Sequence, residues 1–203
     1  MKDKLAGGIS YFFHPLMIPL YVLLMLLGLN SFFSLLVPLS FKLALTGIVV
    51  LTTVLFPLII TFLLRRLKII SSFYLEQKED RIFPILCSAV FYYLTYYLLK
   101  RVQFASLFSY FMLGVTLLAI IALVLTFYSK ISLHMTGMGS LTGLFLGLTL
   151  NFGPHFLNLF FIGVLCSGLV GFARLYLNAH KPAEIYSGFF LGVMVLSILI
   201  ILL

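Results

Sequence analysis

The stretch Gly171-Phe-Ala-Arg-Leu-Tyr-Leu-Asn-Ala-His-Lys-Pro-Ala-Glu-Ile-Tyr-Ser-Gly188 lies between two long apolar runs. Its charged and imidazole side chains are Arg174, His180, Lys181 and Glu184. A charged side chain at membrane depth costs about 3 kcal/mol, so such residues normally mark a site or a pathway. Pro182 fits the first turn of a helix, and Glu184 would then lie beside the positive helix end. We therefore predict a helix entrance just after His180, with the chemical centre of the protein at this turn.

The composition around this stretch indicates a membrane protein. The chain has 203 residues, of which 63% are hydrophobic and 9% are charged, and its mean hydropathy is +1.23. Apolar runs near twenty residues recur along the chain, as membrane-spanning helices require. The short alternating segments of a membrane β-barrel are absent from the sequence. The predicted fold class is an all-α, polytopic membrane helical bundle of about six to seven transmembrane helices.

Charge and cysteine usage exclude several functions. The formal net charge of +8 is dispersed, with cations singly or in pairs at helix ends, so it favours anionic lipid headgroups or an anionic substrate over nucleic acid. Cys87 and Cys166 lie inside apolar runs and indicate neither a disulfide framework nor a metal site. The first apolar run is too long for the core of a signal peptide, so we expect it to be retained as a helix.

The spans are predicted from hydropathy and from the polar segments between them. Residues 1–14 form a short amphipathic lead that ends at His14-Pro15. The predicted spans cover about residues 16–37, 43–64, 84–99, 107–128, 137–150, 156–177 and 183–203. We expect a single integral-membrane domain over 1–203, with two generic spans in 1–68 and a bundle in 69–203 that carries the polar motifs.

Small residues recur every fourth position in the last three spans, which indicates close helix packing there. The repeats are Gly139, Gly143 and Gly147, then Gly163, Ser167 and Gly171, and then Gly188 and Gly192. We expect them to form a rigid frame around the polar residues of the turns.

Counting the crossings predicts that three polar segments lie on one side of the membrane. Segments 76–84, 130–136 and 174–184 follow two, four and six spans, and therefore share the side of the N-terminus. All thirteen Lys and Arg residues except Lys42, Lys100 and Arg101 fall on that side. The positive-inside rule then favours a site facing the cytoplasm. The opposite side stays open, because several of these cations are themselves candidate ligands of an anion. We expect a multi-pass protein of a bacterial inner membrane.

The first two segments each have a functional and a purely structural interpretation. Lys78 and Arg81, three residues apart on one helical face, could clamp an oxyanion, or they could be a cationic flank to a span. His134 suits general acid–base catalysis, and Ser132 could bond a substrate oxygen; alternatively, they are a helix cap and an incidental histidine.

The third segment holds the most specific set of residues. A carboxylate bonded to one imidazole nitrogen fixes the tautomer and leaves the other nitrogen as nucleophile, which suits His180 with Glu184. Arg174 lies six residues before His180. The alternative is a buried ion pair that stabilises a helix turn. His14 and His155 lack such neighbours in sequence, and we interpret both as interfacial bystanders.

These motifs resemble those of the type 2 phosphatidic acid phosphatase superfamily of membrane lipid phosphatases. The spacing of Arg174, His180 and Glu184 is similar to the third motif of that family, S-R-x5-H-x3-D. Ser132-Leu-His134 resembles the second motif, P-S-G-H, and Lys78 with Arg81 and Pro84 resembles the first, K-x6-R-P. The order agrees, and the resemblance covers about residues 75–195.

The resemblance implies metal-independent hydrolysis of a lipid phosphate or diphosphate, without a cofactor. His180 would form a phosphohistidine with Glu184 orienting it, and His134 would serve as acid and then base. The phosphoryl oxygens would be held by Lys78, Arg81, Ser132 and Arg174. Substrates of this kind are phosphatidic acid, phosphatidylglycerol phosphate, undecaprenyl diphosphate and a lipid A phosphate.

The sequence departs from the family pattern at several positions. Ala173 stands where the family has serine, and Glu184 replaces aspartate. Ile131 and Leu133 replace the proline and glycine of the second motif. In the first motif the lysine and arginine are three rather than seven residues apart, which still places both on one helical face.

Two other functions remain open on the sequence alone. A lipid phosphotransferase differs only in the alcohol that attacks the phosphohistidine. A transporter or binder of anionic lipid headgroups would use the same cations without releasing phosphate, although the inverted repeats typical of many transporters are not seen in the sequence. The sequence does not specify an oligomeric state.

Overall fold

The computed structural model describes residues 2–28, 37–72, 77–102 and 106–203, with the side chains of Lys2 and Lys78 outside the description. Within these ranges the chain is helical and contains no strand. The α-helices are α1 (Lys2–Phe12), α2 (Ile18–Gly28), α3 (Leu39–Val49), α4 (Phe56–Arg66), α5 (Lys78–Leu99), α6 (Ser106–Thr126), α7 (Leu133–Phe152), α8 (Leu157–Tyr176) and α9 (Pro182–Ile201).

Seven helical stretches of the described chain are long and apolar enough to cross a membrane. They are Asp3–Gly28, Leu39–Arg66, Glu79–Leu99, Ser106–Thr126, Leu133–Phe152, Pro154–Tyr176 and Pro182–Ile201. The predicted all-α polytopic bundle is confirmed. The choice of membrane and the orientation in it stay predictions.

The first span differs from its predicted limits. The apolar stretch begins at Asp3, because α1 is apolar enough to be continuous with α2, whereas the sequence placed the start at residue 16. The predicted break at His14 is confirmed, since α1 ends at Phe12 and His14 has extended backbone with φ −63° and ψ 140°. The sequence placed the end of this span near residue 37, and residues 29–36 before it lie outside the described residues.

Two further boundaries were wrong. Helix α5 begins at Lys78 and contains Pro84, where the sequence placed the start of the third span after that proline. Helix α7 covers Leu133–Phe152 rather than the short run 137–150. Its first turn is polar in sequence but helical, because the Ser132 carbonyl oxygen accepts the Thr136 N–H at 2.9 Å. Polar side chains in a membrane-spanning helix normally face protein rather than lipid, so hydropathy alone misplaces such an end.

The chain divides into two compact units, one formed by residues 1–18 and 124–203 and the other by residues 19–123. The single integral-membrane domain expected over residues 1–203 stays a prediction. The first unit contains α1, α7, α8 and α9, with α7 as its most buried helix. All the histidines of the chain lie in this unit.

Glycines bring α7 and α9 into backbone contact, as the small-residue repeats predicted. A Cβ added at Gly143 would lie 2.5 Å from the Val193 carbonyl oxygen. From the other helix, a Cβ at Gly188 would lie 2.8 Å from the Ser132 carbonyl oxygen. At the far end of the pair, Asn151 Nδ2 donates to the Ile200 carbonyl oxygen at 3.2 Å. The two helices are therefore fixed against each other along their length.

Helix α8 packs on α7 through small and hydroxyl residues. Thr142 Oγ1 lies 3.3 Å from Ser167 Oγ, and a Cβ on Gly163 would come within 3.0 Å of the same threonine oxygen. Between α7 and α8 the chain turns at Gly153, whose φ of +100° and ψ of 179° are accessible to glycine but strained for other residues.

The second unit has a local polar anchor near the start of α5. The Asp80 carboxylate accepts the Ser71 N–H at 2.9 Å and the Ser71 hydroxyl, which ties residues 71–72 to the helix. Elsewhere in the unit, α3 and α4 are joined by a π-helical segment, Val50–Leu55, where Thr95 Oγ1 donates to Thr52 Oγ1 at 2.7 Å. These contacts are within the unit and account for the burial of Asp80, Thr52 and Thr95.

Candidate active site

A Schellman turn connects α8 to α9 and sets the spacing of the third motif. After Tyr176, the Asn178 N–H bonds the Leu175 carbonyl oxygen at 2.9 Å, and the Ala179 N–H bonds the Arg174 carbonyl oxygen at 3.1 Å. Asn178 has φ of 50°, the left-handed conformation that asparagine tolerates better than most residues. The turn ends α8 and leads directly to His180.

His180 and Glu184 form the contact that the sequence predicted. His180 Nδ1 lies 2.8 Å from Glu184 Oε2, and the two side chains are 3% and 21% exposed. Helix α9 begins at Pro182, and the same carboxylate oxygen accepts the Lys181 N–H at 3.3 Å, which satisfies one of the unpaired donors of the helix start. Because a carboxylate accepts, Nδ1 carries the proton and the lone pair of neutral His180 resides on Nε2.

The segment before α7 docks onto the start of α9. The Ser132 N–H donates to the Glu184 carbonyl oxygen at 3.1 Å, so the second and third motifs are joined by a main-chain hydrogen bond. Two residues on, His134 Nε2 lies 3.1 Å from the Ser10 carbonyl oxygen. Since a carbonyl oxygen only accepts, Nε2 carries the proton, and the lone pair of neutral His134 resides on Nδ1.

The charged and imidazole groups of this cluster interact electrostatically. The positive charge of Arg174, on the last turn of α8, acts on both His14 and His134. His134 and His180 also interact electrostatically, and Lys130 acts on Glu184. The structure thus brings together Ser132, His134, Arg174, His180 and Glu184, as the crossing count predicted for these two segments.

Three buried donor atoms of the first unit stand out by their lack of a partner. In the described part of the chain, Ser10 Oγ, Ser132 Oγ and Arg174 Nε are buried and make no hydrogen bond. A buried donor left unsatisfied costs about 1–3 kcal/mol. Each of the three groups can donate a hydrogen bond to a ligand oxygen.

His14 was interpreted from sequence as a bystander, and the structure contradicts this. Its ring packs edge-on against His134, with 5.4 Å between the ring centroids and 80° between the ring planes. The available signal was the His14-Pro15 pair, a polar break inside an otherwise apolar stretch. His155 is exposed in the turn before α8, and its interpretation as a bystander stays a prediction.

Lys78 and Arg81, the predicted first motif, belong to the second unit. Both lie in the first turn of α5, and Arg81 is buried at 6% exposure. The side chain of Lys78 lies outside the described residues. Their part in binding a phosphate stays a prediction.

The cluster has the parts of a group-transfer site. The Glu184 carboxylate orients the His180 imidazole, and the His134 imidazole interacts electrostatically with His180. An arginine and two hydroxyls can hold an anion. No group of three or more His, Cys, Asp or Glu residues in the described ranges is arranged to hold a metal ion.

The fold and this cluster define a polytopic helical membrane protein with a histidine-rich polar site at one end of three packed helices. No protein-family model, curated protein or solved structure matches the chain.

Proposed function

We propose that the protein is a membrane lipid phosphatase that removes phosphate through a phosphohistidine on His180, without a metal. The observation that carries the proposal is the 2.8 Å contact between His180 Nδ1 and Glu184 Oε2, in which the His180 side chain is only 3% exposed. A carboxylate in this position holds the ring and stabilises the positive charge that the imidazole gains when Nε2 bonds phosphorus.

The arrangement supports a balanced two-step reaction. In the first step His180 Nε2 bonds phosphorus, the bond from phosphorus to the lipid oxygen breaks, and that oxygen takes a proton from protonated His134. In the second step a water oxygen attacks phosphorus, neutral His134 takes the water proton, and the N–P bond breaks. His134 suits both steps because its Nε2–H is held by the Ser10 carbonyl oxygen, which leaves Nδ1 as the exchanging atom.

Binding of the phosphoryl group is supported by the unpartnered donors. Arg174 Nε–H and the Ser132 hydroxyl are buried and unsatisfied in the described part of the chain, and phosphoryl oxygens are acceptors for both. Phosphoryl transfer depends mainly on positioning and on donors aimed at the developing charge, so such donors contribute directly to the rate. Lys78 and Arg81 lie in the second unit, and their part in binding a phosphate stays a prediction from the resemblance.

The membrane setting supports a lipid substrate. Large apolar side chains such as Phe172, Tyr186 and Phe190 are exposed on α8 and α9, near the residues of the cluster in sequence. In a chain with seven helices suited to crossing a membrane, such faces contact acyl or prenyl chains. A headgroup phosphate attached to such a chain would reach a polar cluster at the helix ends.

Phosphate release by the full-length protein in detergent tests the proposal. The substrates are phosphatidic acid, phosphatidylglycerol phosphate, undecaprenyl diphosphate and a lipid A phosphate, each assayed with EDTA. We expect release by the wild type and a loss of roughly 10⁴- to 10⁶-fold in His180→Ala, as for removal of a nucleophile. His155→Ala, which replaces an exposed histidine outside the cluster, is the matched control and should keep full activity.

Three results would contradict the proposal. Release that needs a divalent metal, or that persists in His180→Ala, would refute the mechanism. No release from any lipid by folded protein would favour a binding or transport role.

Adding a short alcohol and measuring alkyl phosphate separates hydrolase from phosphotransferase, because only a transferase prefers the alcohol over water.

A further inference from the structure

The break between α1 and α2 holds His14 in a defined protonation geometry. Its backbone is extended, and its Nδ1 accepts the Leu16 N–H at 3.3 Å, which caps the short turn Pro15–Met17. A backbone N–H only donates, so Nδ1 supplies the lone pair and the proton of the neutral ring lies on Nε2. His14 is therefore presented as an N–H donor through Nε2.

The segment that contains His14 contacts the cluster at more than one point. The His14 ring lies 5.4 Å from the His134 ring, centroid to centroid, and the Ser10 carbonyl oxygen bonds His134 Nε2 at 3.1 Å. The Arg174 charge acts on His14 as it does on His134. Residues 10–14 thus form one side of the same polar cluster.

Ser10 adds an observation that points to a ligand. Its residue is 7% exposed, and its hydroxyl is one of the buried atoms that lack a hydrogen-bond partner among the described residues. Ser132 Oγ and Arg174 Nε are in the same state. The carboxylate of Glu184 is already engaged by His180 and the Lys181 N–H. Arg174 Nε–H can only donate and the two serine hydroxyls can donate, so one acceptor-rich group such as an anion would satisfy all three.

We propose that residues 10–14 complete the anion-binding site, with His14 Nε2–H and the Ser10 hydroxyl donating to the phosphoryl oxygens that Arg174 and Ser132 bind. The inference rests on the proposed function in taking the anion to be a phosphoryl group. It assigns two substrate-binding side chains to the segment formed by the end of α1 and the break after it, which the sequence-based interpretation left outside the site.

Two substitutions at His14 separate donation to a ligand from a structural role. Asparagine places Oδ1 near the position of the histidine Nδ1, so His14→Asn keeps the cap on Leu16 and removes the Nε2–H donor. Glutamine places its amide N–H near the position of histidine Nε2, so His14→Gln keeps the donor and gives up the cap. His155→Asn, at an exposed histidine, is the control. A purely structural His14 would tolerate asparagine and suffer from glutamine.

The measurements use full-length protein in detergent. They are kcat and KM on the lipid phosphate that the wild type hydrolyses fastest, and the affinity for inorganic phosphate from its protection against thermal unfolding. We expect His14→Asn to lower kcat/KM and phosphate affinity by about 10- to 100-fold, the value of a hydrogen bond to a charged group, with unchanged unliganded unfolding temperature. His14→Gln should stay within about threefold of wild type. Should His14→Asn not fold, Ser10→Ala, which removes an unpartnered hydroxyl, should weaken phosphate binding about tenfold without loss of stability.

The outcomes distinguish failure of this inference from failure of the proposed function. Wild-type kcat/KM and phosphate affinity in His14→Asn would overturn the inference and leave the phosphatase intact. Phosphate binding that depends on His14, in a wild type that hydrolyses no lipid, would support the inference and refute the phosphatase. A wild type that neither hydrolyses lipids nor binds phosphate would overturn both.

Discussion

Replacing Gly188 with alanine tests whether the backbone contact between α7 and α9 holds the candidate site together. The added Cβ would lie 2.8 Å from the Ser132 carbonyl oxygen and 3.1 Å from Thr136 Oγ1, inside van der Waals contact. Gly188 is one turn after Glu184, whose carbonyl oxygen accepts the Ser132 N–H at 3.1 Å. The methyl group therefore pushes apart the two segments that carry His134 and His180.

The magnitude follows from a matched substitution elsewhere in the unit. Gly168, on α8, is exposed, and a Cβ there meets nothing within 4 Å. Both glycines are in helices, so alanine brings each about the same gain in helix propensity, roughly 1 kcal/mol. Overpacking of a tight contact costs about 1–3 kcal/mol. The difference in unfolding free energy between Gly188→Ala and Gly168→Ala should be that overpacking cost, because the propensity gain cancels.

Thermal unfolding in one detergent and phosphate release from one lipid are the two assays. A difference of about 1–3 kcal/mol lowers the unfolding temperature of a chain of this size by roughly 2–12 °C relative to Gly168→Ala. Displacement of reacting groups by less than 1 Å can cost up to about 10²-fold in rate, so release by Gly188→Ala should fall by roughly that factor. A Gly188→Ala protein that unfolds at the temperature of Gly168→Ala and keeps its activity would refute the argument that this contact positions the site.

Two further substitutions test the roles of individual side chains. Glu184→Gln keeps an acceptor near His180 Nδ1 but removes the charge. We expect kcat to fall about 10- to 150-fold, the value of a hydrogen bond to a charged group. Combined with His180→Ala, the same substitution should cause no further loss of activity, and an additive loss would contradict a shared role of the two residues. Arg174→Lys keeps the charge and removes the Nε–H donor that is unpartnered in the described chain. We expect kcat/KM to fall about 10²-fold and the unfolding temperature to stay unchanged. Wild-type kinetics in this variant would mean that Arg174 acts only through its charge.

The spans could be predicted because hydropathy is a property of each segment alone. The apolar runs predicted about six to seven transmembrane helices, and the described chain has seven helical stretches long and apolar enough to cross a membrane. The ends were less predictable where polar side chains face protein. The first turn of α7 is such a case, since Thr136 bonds the Ser132 carbonyl oxygen through both N–H and Oγ1, at 2.9 and 3.1 Å. The sequence alone does not show whether such polar residues form a helical turn that faces protein or a solvated loop.

The His180–Glu184 contact was predictable for a local reason. Glu184 follows His180 by four positions, at a helix start that Pro182 marks. Side chains at this spacing can meet, so the carboxylate can reach the imidazole ring. To predict that His134 approaches the third motif, the number of membrane crossings was also needed, because it places both segments on one side of the membrane. The glycine repeats then indicate that α7 and α9 pack closely. The position of Lys78 and Arg81 needs tertiary information that neither spacing nor the number of crossings supplies.

The contact of His14 with the cluster could not be predicted from its own segment. Within its own segment it is a lone histidine among apolar residues, and its helix neighbours offer no carboxylate or arginine. Its neighbours His134 and Arg174 are more than a hundred residues away in sequence and meet it only because α1 ends at Phe12 and the chain turns at Pro15. The break itself was visible in the sequence. A break in an apolar segment at a titratable residue exposes main-chain groups that must be satisfied, here by the His14 ring and by His134 on the Ser10 carbonyl oxygen. Such a break therefore predicts a polar partner from another helix, even when the sequence does not say which one.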